Sequence, residues 1–507
     1  MPKPLHQRIE EATIPEIQAA FRSGKITSKE LVRSYLRRIE RIDRSGPRLN
    51  SFAEVNPDAL EIAGRLDDER IGSGPRGPLH GIPVLLKDSI ATTDRMETTA
   101  GSIALVGSRP SREAFIVKRL REAGAVILGK ANLSEWANFR SFISTSGWSG
   151  RGGQVRNPYV LDRSPCGSSS GSAVAVAANL TSVAVGTETD GSILCPSSVN
   201  GVVGIKPTLG LVSRAGVVPV AHSQDVVGPI ARNVTDAAIL LGAMAGVDED
   251  DVSTESSAGK FHRDYTKFLD RRGLKGARIG VPREGYFGYS SKVDAIAEGA
   301  LGRMRRLGAR IIDPVNIPTT KQMSSSEDEL TVLLHEFKAD LNRYLSELES
   351  SQVRSLRDII AFNSKHKRKE LKYFGQDLFL KAQKTTSLKN RKYLKALRNN
   401  HLLSRKKGLD LVMDKRRLDA LVTPTVSPAW TIDLVNGDHV LGGSTQPTAL
   451  AGYPAITVPA GSVLGLPVGI TFMGRAYSEP TLIRLAYAFE QATRHRTPPR
   501  YKRTLDS

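Results

Sequence analysis

SPCGSSSGSAVAVAANL, Ser164 to Leu180, and GTETDGSILCPSS, Gly186 to Ser198, carry Ser168 and Ser192, two serines 24 positions apart. Between the stretches lies Val183-Ala184-Val185, a β-branched run that reads as a buried strand. Small residues in such numbers let backbone pack against backbone and let main-chain amides point at a ligand. Gly191-Ser192 therefore sets a hydroxyl beside N–H donors, the combination that acyl transfer requires. The bland alternative is a flexible Gly/Ser linker. The apolar helix-like and strand-like runs around both serines are not linker composition.

A third residue lies upstream. GIPVLLKDSIATTDRMETTAG, Gly81 to Gly101, places Ile82, Val84, Leu85 and Leu86 directly before Lys87. A lysine at the end of a buried strand is desolvated, which lowers its pKa and lets it act as a neutral base. Alone it is a weak signal, since most lysines after strands are solvated. Lys87, Ser168 and Ser192 in this order resemble the catalytic triad of the amidase signature family. The strings GIPVLLKD, CGSSSGSA, GTETDGSI and GVVGIKPT (Gly201 to Thr208) carry the likeness. It continues through SQDVVGPIARNVTDA (Ser223 to Ala237), AGYPAITVPAG (Ala451 to Gly461) and LPVGITFMG (Leu466 to Gly474). ETDGSILCPSS is most similar to the peptide amidase-type branch, as are SGWSGRGGQVRNPY (Ser146 to Tyr159) and ANLSEWANFRS (Ala131 to Ser141). Many relatives have Gly where this chain has Asp190, and Arg where it has Leu194.

The resemblance implies an α/β fold, a single large domain over residues 1–507 with a mixed, twisted β-sheet flanked by helices. It implies that Ser192 is the nucleophile and that its proton passes through Ser168 to neutral Lys87. It implies a cis peptide at Gly167–Ser168 and an oxyanion hole from the backbone N–H groups of Thr189, Asp190, Gly191 and Ser192. The substrate would be a small-molecule or peptide amide, with no metal and no organic cofactor. A helical segment of about 326–417 would shape the substrate entrance.

Composition is compatible with that reading. A chain of 507 residues with 40% apolar content can bury a large core. The start, MPKPLHQRIEEAT, is polar, and no stretch reads as a membrane span, so no membrane partner is expected. Cys166 and Cys195 are expected as small buried packing groups in a reducing cytoplasm. The net charge of +20 is concentrated: residues 351–420 hold 20 Lys/Arg against 6 Asp/Glu. Leu394, Leu397, Leu402 and Leu403 interleave there, which suggests helices with an apolar inner face and a solvated cationic outer face. No motif points to specific nucleic-acid binding. The sequence is compatible with a homodimer.

Along the chain, two helices open the fold. The second starts at the capping box Thr27-x-x-Glu30, with Leu31, Tyr35, Ile39 and Ile42 on one face. Strands are predicted at 82–86 and 125–128, with a helix between them ending near Gly124. Residues 246–275 read as a polar crossing segment before Arg278-Ile279-Gly280-Val281 resumes the sheet. Ser326-x-x-Glu329 reads as another capping box opening a helix with Leu330, Leu333, Leu334, Phe337 and Leu341 inward. Strands return at Ala420-Leu421-Val422.

Other sites compete. GSSSG at Gly167 to Gly171 fits a nucleophile elbow with Ser169 as nucleophile and His222 as base, but LDRSPC before it is no strand. The two cysteines could be thiol nucleophiles. Asp225 could be a general base, and is expected instead as a structural carboxylate bracing the serine loops. Trp136 and Trp148 could line a pocket or pack in the core. The leading function is an amidase acting on its own, on C-terminal peptide amides or on related carbamates and esters. The alternatives are an amidotransferase A-type subunit supplying ammonia, and a non-enzymatic basic binding protein.

Overall fold

The computed structural model describes residues 9–505. Its centre is an eleven-stranded mixed sheet built from β1 (Phe52–Val55), β2 (Pro83–Lys87), β3 (Val126–Ala131), β6 (Val183–Glu188), β7 (Val203–Lys206), β8 (Val226–Ala231), β9 (Arg278–Gly280), β10 (Arg310–Ile312), β11 (Ala420–Pro424), β12 (Ala455–Val463) and β13 (Leu466–Met473). A separate hairpin pairs β4 (Trp148–Ser149) with β5 (Gly153–Gln154). The spatial order is β1-β3-β2-β6-β8-β7-β12-β13-β11-β9-β10. β3, β2 and β6 run parallel, and each pairing from β6 through β8, β7, β12 and β13 to β11 is antiparallel. β9 and β10 return the far edge to parallel pairing. This is the mixed single-domain sheet that the sequence predicts.

The parallel centre positions the site. β2, β3 and the start of β6 are buried on both faces, as helices covering a parallel sheet require. Lys87 is the last residue of β2 and pairs with Ala131 of β3, so the strand ends on a charged group inside the protein. The expected helix between β2 and β3 spans Phe115–Glu122, and Gly124 follows it in a left-handed conformation. At the start of the chain, Thr13 and Glu16 cap Ile14–Arg22 reciprocally, and Thr27 and Glu30 do the same for Ser28–Arg38. Leu31, Tyr35, Ile39 and Ile42 are all buried, as their spacing predicts.

Beyond the sheet, residues 326–417 form the helices Asp328–Ser346, Leu356–Lys365, Lys367–Glu370, Asp377–Gln383, Arg391–Ser404 and Asp410–Arg416. Phe337, Leu341 and Leu345 anchor a second apolar cluster with Leu356, Ile359 and Phe379, and Leu330, Leu333 and Leu334 pack at its margin. One expectation fails here and another holds in part. Ser326 does not cap the first helix with Glu329: the helix begins at Asp328 after Glu327, and Ser326 Oγ accepts only the Asp328 N–H (3.0 Å). The apolar inner face of the basic segment is met only in part: Leu397 and Leu403 are half-buried against apolar clusters. Leu394 and Leu402 are exposed, and Tyr393, Ala396, Asn400 and Ser404 are buried in their place. Small residues let that helix approach Asp328–Ser346 closely, and the Tyr393 hydroxyl spans the seam to Glu336 (2.8 Å). Lys365, Lys367, Lys369 and Lys392 are exposed, as expected. No helix among the described residues is long and apolar enough to cross a membrane.

Candidate active site

Lys87 is fully buried, and its Nζ lies 2.7 Å from Ser168 Oγ, 2.8 Å from Thr187 Oγ1 and 3.1 Å from the Thr187 carbonyl. Burial lowers its pKa to about 7, against the opposing pull of the Asp225 and Glu188 carboxylates. A neutral amine has two N–H donors and one lone pair. Here the two Thr187 oxygens take the donors and the Ser168 hydroxyl faces the lone pair.

The peptide before Ser168 is cis, as the resemblance implies. Gly167 has no room for a side chain, because a Cβ there would collide with Ser134 Oγ. Ser134 N–H in turn holds the Ser168 carbonyl (3.1 Å). The second stretch is fastened to the first where Ser169 N–H donates to the Ser192 carbonyl (3.1 Å). At the end of β6, Glu188 Oε2 accepts the N–H groups of Ile193 (2.7 Å) and Leu194 (2.9 Å), which closes the loop over residues 189–192. Gly191 bends it with a φ of 78°, where a side chain would be strained and would crowd Thr445 Oγ1. Among the described residues, no protein acceptor takes the main-chain N–H groups of Thr189, Asp190, Gly191 or Ser192.

Asp225 is a brace. Its Oδ2 accepts the N–H groups of Val220 (2.8 Å) and Ala221 (2.9 Å), and its Oδ1 accepts the Thr189 hydroxyl (2.6 Å). Burial pushes its pKa up to about 6 against these bonds. Ser169, the rival nucleophile, is committed to structure: its Oγ donates to the Thr187 carbonyl (3.0 Å) and accepts the Thr187 N–H (3.2 Å). No strand precedes it. Its proposed base, His222, points elsewhere, with Nδ1 2.8 Å from Asp340 and Nε2 3.4 Å from Glu336.

His222, Glu336 and Asp340 bring ligand atoms within 4.8 Å of one another, a spacing compatible with a metal. The donor set is already used. Glu336 accepts from Ser223 N–H and Oγ and from the Tyr393 hydroxyl, and Asp340 from His222 N–H and Arg343. Burial works against the imidazolium, yet Asp340 and Glu336 outweigh it and hold His222 above its ordinary pKa. The arrangement is a histidine ring held between two acidic side chains.

The cysteines are not free packing groups. Cys166 and Cys195 form a disulfide across a sequence separation of 29. Each sits in the stretch of one of the two serines, and the fold that juxtaposes the serines juxtaposes the thiols as well. Trp148 belongs to packing, with its ring edge-on to Tyr373 and Phe374. Trp136 faces a cavity of about 680 Å³ that passes Thr187 and Thr189 and reaches His222 and Tyr344. Ser168 and Ser192 border this region through their neighbours and do not line the cavity themselves.

Four residues beside the loop escape a sequence reading. Burial first, and then the charge of Glu329, push the Asp190 carboxyl up to about 7. Gln224 donates to Glu329 Oε1 (3.1 Å) and Gln446 to Oε2 (2.8 Å). Thr445 Oγ1 stands 3.1 Å from where a side chain on Gly191 would begin. The one signal pointing to them is Asp190 itself, a side chain where a glycine would need no partner.

Known proteins resemble this chain along almost all of its length. The amidase family model matches residues 30–483. The chain belongs to the amidase family and is a hydrolase acting on amide C–N bonds. It is 48% identical to a probable amidase of Arabidopsis thaliana, over 97% of this chain and 92% of that one. It is 51% identical to the native peptide amidase from Stenotrophomonas maltophilia, with a TM-score of 0.93 over 97% of this chain and 99% of that structure. The A-type subunit of the glutamyl-tRNA(Gln) amidotransferase from Halorhodospira halophila is 36% identical, over 96% of this chain and 98% of its own length.

Proposed function

We propose that this enzyme hydrolyses carboxylic amides through an acyl-enzyme on Ser192, with the C-terminal amides of peptides as its substrates. The observation that carries the reading is the buried Lys87 Nζ, lowered to about 7 and directed at Ser168 Oγ with both other contacts on Thr187. Ser192 Oγ attacks the amide carbonyl carbon while its proton moves to Ser168 and that of Ser168 moves to Lys87. The carbonyl oxygen becomes an oxyanion facing the free N–H groups of residues 189–192; loss of one such donor typically costs ~3–4 kcal/mol. When the C–N bond breaks, Lys87 returns the proton through Ser168 to the nitrogen, which leaves as ammonia or amine. Water then attacks the ester by the same relay and releases the carboxylate.

The likeness to the peptide amidase structure supports the substrate class. The cavity walls supplied by Asp340, Arg343 and Tyr344 support the role of residues 326–417 as the substrate side. The test is a product panel on the purified chain alone, covering a peptide amide, an aryl anilide, a carbamate, an ester and a simple aliphatic amide. Highest kcat/KM on the peptide amide is expected. Preference for another bond would replace the substrate class, and silence in the absence of any partner protein would favour an amidotransferase-type role.

A further inference from the structure

Helix Asp328–Ser346 carries Glu329, Glu336 and Asp340 at i, i+7 and i+11, a spacing that puts three acids on one face. Each grips one of three consecutive residues in the turn that leads into β8. Asp340 Oδ2 accepts the His222 N–H (3.1 Å) and lies 2.8 Å from its Nδ1. Glu336 Oε2 accepts the N–H and the hydroxyl of Ser223, both at 2.9 Å. Glu329 Oε1 accepts the Gln224 side-chain amide (3.1 Å). On its other side the same turn reaches Thr189. Gln224 Nε2 donates to the Thr189 carbonyl (3.4 Å). Asp225, whose Oδ2 holds Val220 and Ala221, accepts the Thr189 hydroxyl through Oδ1 (2.6 Å). Directed bonds therefore run from the helix, through residues 220–225, to the start of the loop over residues 189–192.

Glu336 is the centre of this arrangement. It is fully buried, and its Oε1 accepts the Tyr393 hydroxyl (2.8 Å) and lies 3.4 Å from His222 Nε2. Burying a carboxylate is costly, and a well-packed apolar side chain often stabilises a fold as much. An apolar side chain cannot fix the direction of a turn by accepting its main-chain N–H. We propose that Glu336, with Asp340 beside it, is a positioning residue that holds residues 220–225 where Asp225 sets Thr189, and with it the N–H groups that receive the oxyanion. The same helix walls the cavity through Asp340, Arg343 and Tyr344, whereas Glu336 does not line it. Glu336→Ala therefore frees the turn without removing a cavity wall. Misplacement by about 1 Å can cost ~100-fold in rate, so the variant should lose about 10- to 100-fold in kcat with KM nearly unchanged.

The inference rests on Ser192 and its loop as proposed above. The experiment is a double-mutant cycle on the full chain, with wild type, Glu336→Ala, Thr189→Val and the double variant. Each is read as kcat and KM for a peptide amide, and as inhibition by a peptide trifluoromethyl ketone, which forms an oxyanion when a serine adds to it. Ser192→Ala separates the two readings. If it stays active, the nucleophile reading fails and this role falls with it; if it is inactive, the other outcomes judge this role alone. Glu336→Ala should lose kcat and ketone affinity by similar factors. Glu336→Gln, which keeps an acceptor for Ser223, should recover most of both. Thr189→Val keeps its N–H but loses the bond to Asp225, so it should also lose kcat, and the double variant should be no slower than the slower single one. Leu345→Ala loosens the apolar packing of the same helix, and should lower the urea midpoint while leaving kcat nearly unchanged. Multiplied losses in the double variant, an equal fall in kcat for Leu345→Ala, or a loss carried by KM with ketone inhibition untouched would each overturn the proposal. If Glu336→Ala does not fold, Ser223→Ala, which removes one of the two bonds to Glu336 Oε2, takes its place in the cycle.

Discussion

Lys87→Met should change how stability depends on pH, and by an amount the structure fixes. The lysine is fully buried, and burial takes its pKa from 10.5 to about 7. That fall corresponds to about 5 kcal/mol of preference for the neutral amine in the folded protein. Below pH 7 folded and unfolded chains both hold the proton, and the full cost of the buried charge is present. Between 7 and 10.5 the unfolded chain holds it and the folded chain does not, so wild-type stability rises with pH. From pH 6 to pH 9 the wild type should therefore gain about 2–3 kcal/mol relative to Lys87→Met, which has no proton to lose there. The lost bonds to Ser168 and Thr187 shift the variant at every pH and cancel from the difference. Urea titrations of both proteins at the two pH values, analysed with a shared slope, measure it. Parallel pH dependence would refute a lysine that titrates near 7, and with it the relay's base.

The Cys166–Cys195 bond predicts no titratable thiol in the denatured, unreduced protein and two after reduction. Closing a loop of about 30 residues should contribute about 3–4 kcal/mol, read as a lower urea midpoint for Cys166→Ala/Cys195→Ala. Two free thiols in the isolated protein would instead fit the reducing cytoplasm that the sequence suggests. Charge reversal at Lys365, Lys367, Lys369 and Lys392 should alter the salt dependence for anionic substrates, since exposed charges act over roughly 8–10 Å. It should leave turnover of a small neutral amide nearly unchanged; a large loss with the fold intact would put the basic face in the active site.

What is legible in the sequence and what is hidden divide along a physical line. Lys87, Ser168 and Ser192 stand out because each sits in a local pattern: a buried strand ending on a cation, and two glycine-rich turns. β2, β3 and the first two helices follow equally from local periodicity and caps. Ser-x-x-Glu is a local motif that makes Glu329 look like a capping residue, yet its carboxylate accepts from Gln224 and Gln446 across the fold. Leu394 and Leu402 mislead because hydrophobic spacing gives a face only if a partner covers it, and the positions covered here are Tyr393, Ala396, Asn400 and Ser404. The disulfide is invisible because two cysteines say nothing of distance until the serine loops are brought together.

Everything proposed for the chemistry depends on Ser192 carrying the acyl group. Enzyme quenched during turnover of an activated ester, or treated with a slow-deacylating carbamate, can be read by intact-protein and peptide mass spectrometry. One acyl adduct is expected, on the peptide containing Ser192 and absent from Ser192→Ala, whose turnover should fall by about 10⁴-fold or more. An adduct on Ser168 or Ser169, or full labelling of Ser192→Ala, would remove Ser192 as the nucleophile.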